Sequence, residues 1–123
     1  MCSEGLVRHL GLCNVNVSQI EAVRRAGVPI VSVQNEFSIW TKTVSKPRTG
    51  SSKGPQGVLE YCQRNGLLFI AYSPLGGLGT RRGDDKKRIP DRISQGAQRR
   101  NVDPYSLLLA VMRKVGALPA FLF

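Results

Sequence analysis

The chain lacks the features that would place it in a membrane or outside the cell. No apolar run among its 123 residues approaches the roughly 20 needed to span hydrocarbon. Its first ten residues, MCSEGLVRHL, have neither the charged start nor the long apolar middle of a secretory leader, so a cytosolic setting is expected. Cysteine is scarce. Cys2, Cys13 and Cys62 are odd in number and widely spaced, which reads as reduced thiols and not as a disulfide framework or a zinc-ligand set. The single histidine, His9, stands just before the end of an apolar run and is expected to be structural or exposed.

Acid is scarce too. Eight Asp and Glu stand against 18 Lys and Arg, a formal charge of +10. Such a balance raises the question of nucleic acid. The distribution answers against it. Residues 41–57 carry Lys42, Lys46, Arg48 and Lys53 with no acid, and residues 80–100 carry a net +5, so these two stretches hold +9 of the +10. Both are punctuated by Gly, Ser and Pro, and neither has the aromatic side chains of a base-stacking platform. They read as basic loops, either simply solvated or placed to meet an anion such as a nucleotide phosphate.

What is present is a repeated alternation of apolar runs and helical patterns. VRHLGLCNV, residues 7–15, is a short apolar run that meets Asn14. Asn16 then precedes a helical pattern over about 17–26, with Gln19 placed to complete a capping box and Gly27 as a left-handed stop. Ile20 and Val23, with Ala22 and Ala26, form its apolar stripe. A second apolar run over 28–37 contains Val28, Ile30, Val31 and Val33 and finishes in Gln34-Asn35-Glu36. A helix over about 57–64 stops at Gly66, and Leu67–Tyr72 forms a third run that opens onto SPLGGLG. Two further helices follow, over roughly 91–99 and from Asp103-Pro104 onward. The second has Leu107, Leu108, Val111 and Met112 on its expected buried face and Gly116 at its end. The tail ALPAFLF is consistent with the start of a fourth strand.

Near-continuous apolar strands separated by helices predict a parallel sheet covered by helices. Three runs end in polar residues at the carboxyl edge, where ligands bind in such folds: Asn14, then Gln34-Asn35-Glu36, then Tyr72-Ser73. Glycines after the third run allow close approach to the backbone. Taken singly, Asn14 and Gln34 also suit loop-forming polars, Tyr72 a strand-end aromatic, and GGLG a turn.

Four motifs in order resemble the aldo/keto reductases. VRHLGLCNV resembles the family stretch written IGVSNF, and IVSVQNEFSI the QNEY strand. LEYCQRNGLLFIAYSPLGGLG is similar to the helix followed by AYSPLGxG, and RRNVDPYSLLLAVM to GVTPAQVALRWLL. The resemblance implies an α/β fold, part of a (β/α)8 TIM barrel comprising about strands five to seven with their helices and a stub of strand eight. It implies NADPH as cofactor and a small carbonyl substrate, reduced by hydride transfer. The family's carboxamide-binding Ser-Asn pair maps to Cys13-Asn14, with a thiol, a weak donor, in place of the serine. The glutamine of that pocket maps to Gln34 and the ring that stacks on nicotinamide to Tyr72. Ser73, Leu75 and Gly77 fall in the loop that lies along the pyrophosphate.

The family's catalytic tetrad of Tyr, Lys, Asp and His belongs to the first half of the barrel, and no residue of this chain maps to it. A whole barrel needs about 250 residues. Two expectations therefore stand side by side. One is the carboxyl half of an NADP(H)-dependent reductase, inactive by itself. The other is a non-catalytic half-barrel remnant that binds nucleotide or associates with itself.

Overall fold

Asn16 sets the first helix boundary. The computed structural model describes residues 4–40, 57–76 and 89–120. In it the Asn16 side chain accepts from the Gln19 N–H at 2.9 Å, and Gln19 Oε1 accepts in return from the Asn16 N–H at 2.9 Å. Two otherwise unpaired donors are satisfied by this reciprocal pair, the expected capping box. The helix it starts, α1, covers Val17–Arg25, and Gly27 follows at φ 75°.

The remaining elements run in the expected alternation. Strand β1 (Leu10–Cys13) precedes α1. Then come β2 (Ile30–Glu36), α2 (Val58–Arg64), β3 (Leu68–Tyr72), α3 (Asp91–Gln98), α4 (Pro104–Lys114) and β4 (Ala117–Ala120). Asp103 caps α4 by accepting from the Ser106 N–H at 2.9 Å, with Pro104 at the first helical position. Gly66 and Gly116 both adopt positive φ where α2 and α4 give way to β3 and β4. Residues 117–120 of the apolar tail form the fourth strand of this sheet.

All three strand pairings are parallel and the order is β1-β2-β3-β4. Each connection therefore moves one strand along in the same direction. With the usual right-handed crossover, every helix falls on the same face. The core agrees: Val33, Phe69, Ala71 and Ala117 pack with Ile20, Tyr61, Cys62 and Met112 from the helices. Phe37 meets the Phe69 ring edge-on, with centroids 5.7 Å apart.

Several expected core positions are exposed, and each has a local reason. Val31 is the extra residue where the β1–β2 register steps from Leu10↔Ile30 to Gly11↔Ser32, so a bulge turns it out. Val28 precedes the strand and is exposed. Ala22 and Ala26 are exposed, and α1 packs through Val17, Ile20 and Val23. On α4 the buried stripe is Leu108, Leu109 and Met112, which leaves Val111 39% exposed. Leu107 lies against α3 beside Gly96.

The basic stretch 41–57 lies outside the described residues apart from Gly57. Of 80–100, residues 89–100 are described and most of them form α3. His9 is exposed. No helix among the described residues is long and apolar enough to cross a membrane.

Candidate functional site

The carboxyl ends of β1, β2 and β3 form the rim that the sequence singles out. β1 ends at Cys13, and Asn14 turns the chain sharply with φ 55°, a conformation that Asn tolerates better than most residues. The Asn14 N–H still donates to the Gln34 carbonyl at 2.9 Å, so the turn begins from a paired strand. At the end of β3, Ser73 also takes a positive φ of 51°. The Gly76 N–H closes a turn on the Ser73 carbonyl at 2.9 Å, with Pro74 in its second position.

These backbones bring side chains from separate strands together. The Tyr72 hydroxyl donates to Asn14 Oδ1 at 2.7 Å, reaching across the end of β2. Cys13 and Gln34 are register partners, and the Cys13 thiol is directed at Gln34 Oε1 at 3.7 Å. Tyr72 and Gln34 are half-buried, while Asn14 and Cys13 are exposed. The rim is therefore open to solvent but built on paired strands.

Of the residues expected to form a site, Asn14, Gln34 and Tyr72 converge. Ser73 and half-buried Leu75 continue from Tyr72 into the turn. Gly77 lies outside the described residues.

Asn35 is a site-shaping residue that pattern reading overlooked. It is only 9% exposed, on the helix-facing side of β2. Its Nδ2 donates to the Val15 carbonyl at 2.8 Å and its Oδ1 accepts from the Val15 N–H at 3.1 Å. The residue after Asn14 is thus held by a side chain that imitates a strand. The signal was available. Alternation puts residue 35 on the buried face, and a buried amide must find partners. Reading residues 34–36 as one polar cluster hid it.

A second cross-link lies on the outer layer. Arg24 donates to the Tyr61 hydroxyl at 3.1 Å and to Asn65 Oδ1 at 2.6 Å, tying the end of α1 to α2. Below it, burial raises the Cys62 thiol from 9.0 to about 11, so this thiol stays protonated. No group of three or more His, Cys, Asp or Glu suited to a metal occurs among the described residues.

The profile of the aldo/keto reductase family matches residues 1–119. The chain belongs to this family. This aldo/keto reductase chain is 39% identical over 75 residues to the uncharacterized oxidoreductase C215.11c of Schizosaccharomyces pombe. That match covers 61% of the chain and 21% of the relative. It is 30% identical over 77 residues to pyridoxine 4-dehydrogenase of Escherichia coli K12, covering 63% of the chain and 23% of that protein. The chain thus matches less than a quarter of the length of either relative. Its α/β architecture, a four-stranded parallel sheet with helices between the strands, is consistent with part of a (β/α)8 barrel.

Proposed function

We propose that this chain forms the nicotinamide-facing half of an NADP(H)-dependent aldo/keto reductase that reduces aldehydes or ketones. On this reading its strands are the fifth to eighth of the barrel. The observation that carries it is the convergence of Asn14, Gln34 and Tyr72 at one strand edge.

The residues present fit a nicotinamide ring with its carboxamide. Asn14 Oδ1 is occupied by the Tyr72 hydroxyl and Gln34 Oε1 faces the Cys13 thiol. Each amide therefore keeps its nitrogen as a donor for a carbonyl oxygen. The bond to Asn14 fixes the Tyr72 ring, and a fixed ring can support another ring by stacking. Ser73 and Leu75 would lie along the pyrophosphate, as the family resemblance implies. NADPH, when bound, would supply the hydride. The residues named here bind and orient. The proton delivered to the carbonyl oxygen would come from a tetrad outside these 123 residues.

The second reading is a non-catalytic half-barrel that binds nucleotide or self-associates. Cys13 favours it, because a thiol is a weaker donor than the serine expected at that position.

NADPH fluorescence titration of the purified chain tests the binding claim. Saturable binding that Tyr72→Ala weakens by about tenfold or more supports it, that being roughly the value of a lost stacking partner. Binding indifferent to Tyr72→Ala overturns it. Carbonyl reduction by the isolated chain is expected to be absent, and robust turnover would place the proton donor within these residues after all.

A further inference from the structure

Each strand is approached through a basic turn. Arg8 stands just before β1, and Arg24 and Arg25 end α1 before β2. Arg64 ends α2 before β3, and Arg113 and Lys114 end α4 before β4. All six are exposed. The strands are parallel and neighbours in chain order, roughly 5 Å apart, so these turns line up along the amino edge of the sheet. This edge lies opposite the Asn14–Tyr72 rim. Strands added on either side would leave these turns in place.

Side chains lace three helix ends together at this edge. The bonds from Arg24 to the Tyr61 hydroxyl and to Asn65 Oδ1 carry its guanidinium from α1 to the end of α2. Gln63 Nε2 donates to the Val115 carbonyl at 2.6 Å, which joins α2 to the end of α4. Of the six cations only Arg64 has an ion pair among the described residues, with Glu60 one turn back. A cation near the carboxyl end of a helix offsets its dipole, and one per end supplies that effect. Arg24 is instead held by neutral oxygens at the end of α2, where Arg64 already stands. Like charges on a fixed frame repel until an anion comes between them. Donors already fixed in place also bind at less entropic cost.

The chemistry of the edge selects the kind of anion. Five of the six cations are arginines, whose planar forks match carboxylates and phosphates bidentately. Three helices also end here, so their last carbonyls face the same edge as acceptors. A peptide brings partners for both, carboxylates for the arginines and backbone N–H groups for the carbonyls. A phosphodiester backbone or a lipid phosphate brings acceptors only. The turns at 24–29, 64–67 and 113–116 contain no Phe, Tyr or Trp on which a base would stack. We propose that the amino edge of the sheet docks an acidic segment of a partner protein, rich in Asp and Glu. The inference does not depend on nucleotide binding at the opposite rim.

Fluorescence anisotropy of a labelled polyglutamate peptide, titrated with the purified chain, is the test. Saturable binding that weakens with added salt is expected. Arg24→Gln should weaken it by about threefold to tenfold, and so should Arg113→Gln combined with Lys114→Gln, the range of one or two exposed charge pairs. Arg99→Gln removes a unit charge beyond the other end of α4 and should leave the affinity within about twofold of the native chain. Circular dichroism checks that each variant keeps its helices. The Arg113 and Lys114 side chains have no partner among the described residues, so their double variant decides the matter if Arg24→Gln unfolds. An oligonucleotide or an anionic phospholipid vesicle that binds more tightly than polyglutamate at the same salt overturns the proposal. So does an equal loss in Arg99→Gln and the edge variants, or no binding of polyglutamate at all.

Discussion

The carboxamide of Asn35 replaces a rung of the β1–β2 ladder. Its two bonds to Val15 continue the pairing just where the backbones part, one residue beyond Asn14. Asn35→Ala leaves the Val15 N–H and carbonyl without this partner and is expected to cost about 1–3 kcal/mol in urea unfolding. Asn35→Asp keeps the acceptor but loses the donor and buries a charge, so it should cost more. If Asn35 positions Asn14, Asn35→Ala also weakens NADPH binding by about threefold to tenfold, an effect on the order of one lost hydrogen bond. A stability loss with unchanged binding would confine Asn35 to the framework.

Tyr72 combines a ring and a hydroxyl, and two substitutions separate them. Tyr72→Phe removes only the bond to Asn14. Because the partner is solvent-exposed, the expected effect on NADPH binding is small, about 0.5–1.5 kcal/mol. Tyr72→Ala removes the stacking surface as well and should cost more. Equal losses in a fluorescence titration would assign the effect to the hydroxyl and would count against stacking.

Cys13 offers a gain-of-function test. Its thiol lies 3.7 Å from Gln34 Oε1, a long and weak contact. Cys13→Ser supplies a stronger donor at the same position. NADPH affinity is expected to rise by about twofold to tenfold, the range of one modest hydrogen bond. Cys13→Ala should not raise it. An unchanged affinity in Cys13→Ser would show that this position does not take part in binding.

Cys62 makes stability fall at high pH. Its thiol is 0% exposed and titrates near 11 when folded, against 9.0 ordinarily. The unfolded chain therefore loses the proton first, and unfolding becomes easier as pH rises through this window. The loss reaches about 2–3 kcal/mol by the upper end and is absent below the lower one. Comparing urea midpoints of the native chain and Cys62→Ala across this range isolates the term, since only the native chain shows it. Thiol reagents at neutral pH should modify exposed Cys13 quickly and Cys62 only on unfolding.

Local chemistry made much of the fold readable. Asn16 with Gln19, Asp103 with Pro104, and the glycines at 27, 66 and 116 each fix a boundary through short-range bonds or backbone freedom. The helix boundaries expected from them fall within a residue of those observed. Strand limits were less readable. The apolar run over 7–15 yields only Leu10–Cys13, because a strand ends where its neighbour ends, and no local residue records that. The phase of α4 was likewise hidden. Residues 107–112 are almost wholly apolar, so only the sheet decides that Leu109 turns inward and Val111 outward. At the rim, residue types pointed to Asn14, Gln34 and Tyr72, but the Tyr72–Asn14 bond joins residues 58 positions apart and could not be read from spacing.

The connection from β1 to α1 has no slack. Asn14 is tied to the Gln34 carbonyl, Val15 to Asn35 at both its N–H and its carbonyl, and Asn16 to Gln19. Residues 14–16 can therefore exchange side chains, but they cannot change in number. One inserted or deleted residue would break the Val15 clamp or the capping box and move Asn14 away from Tyr72. Diversity at this corner of the rim must come through substitution at fixed length, which makes it a site for retuning ligand preference and a poor one for grafting a new loop.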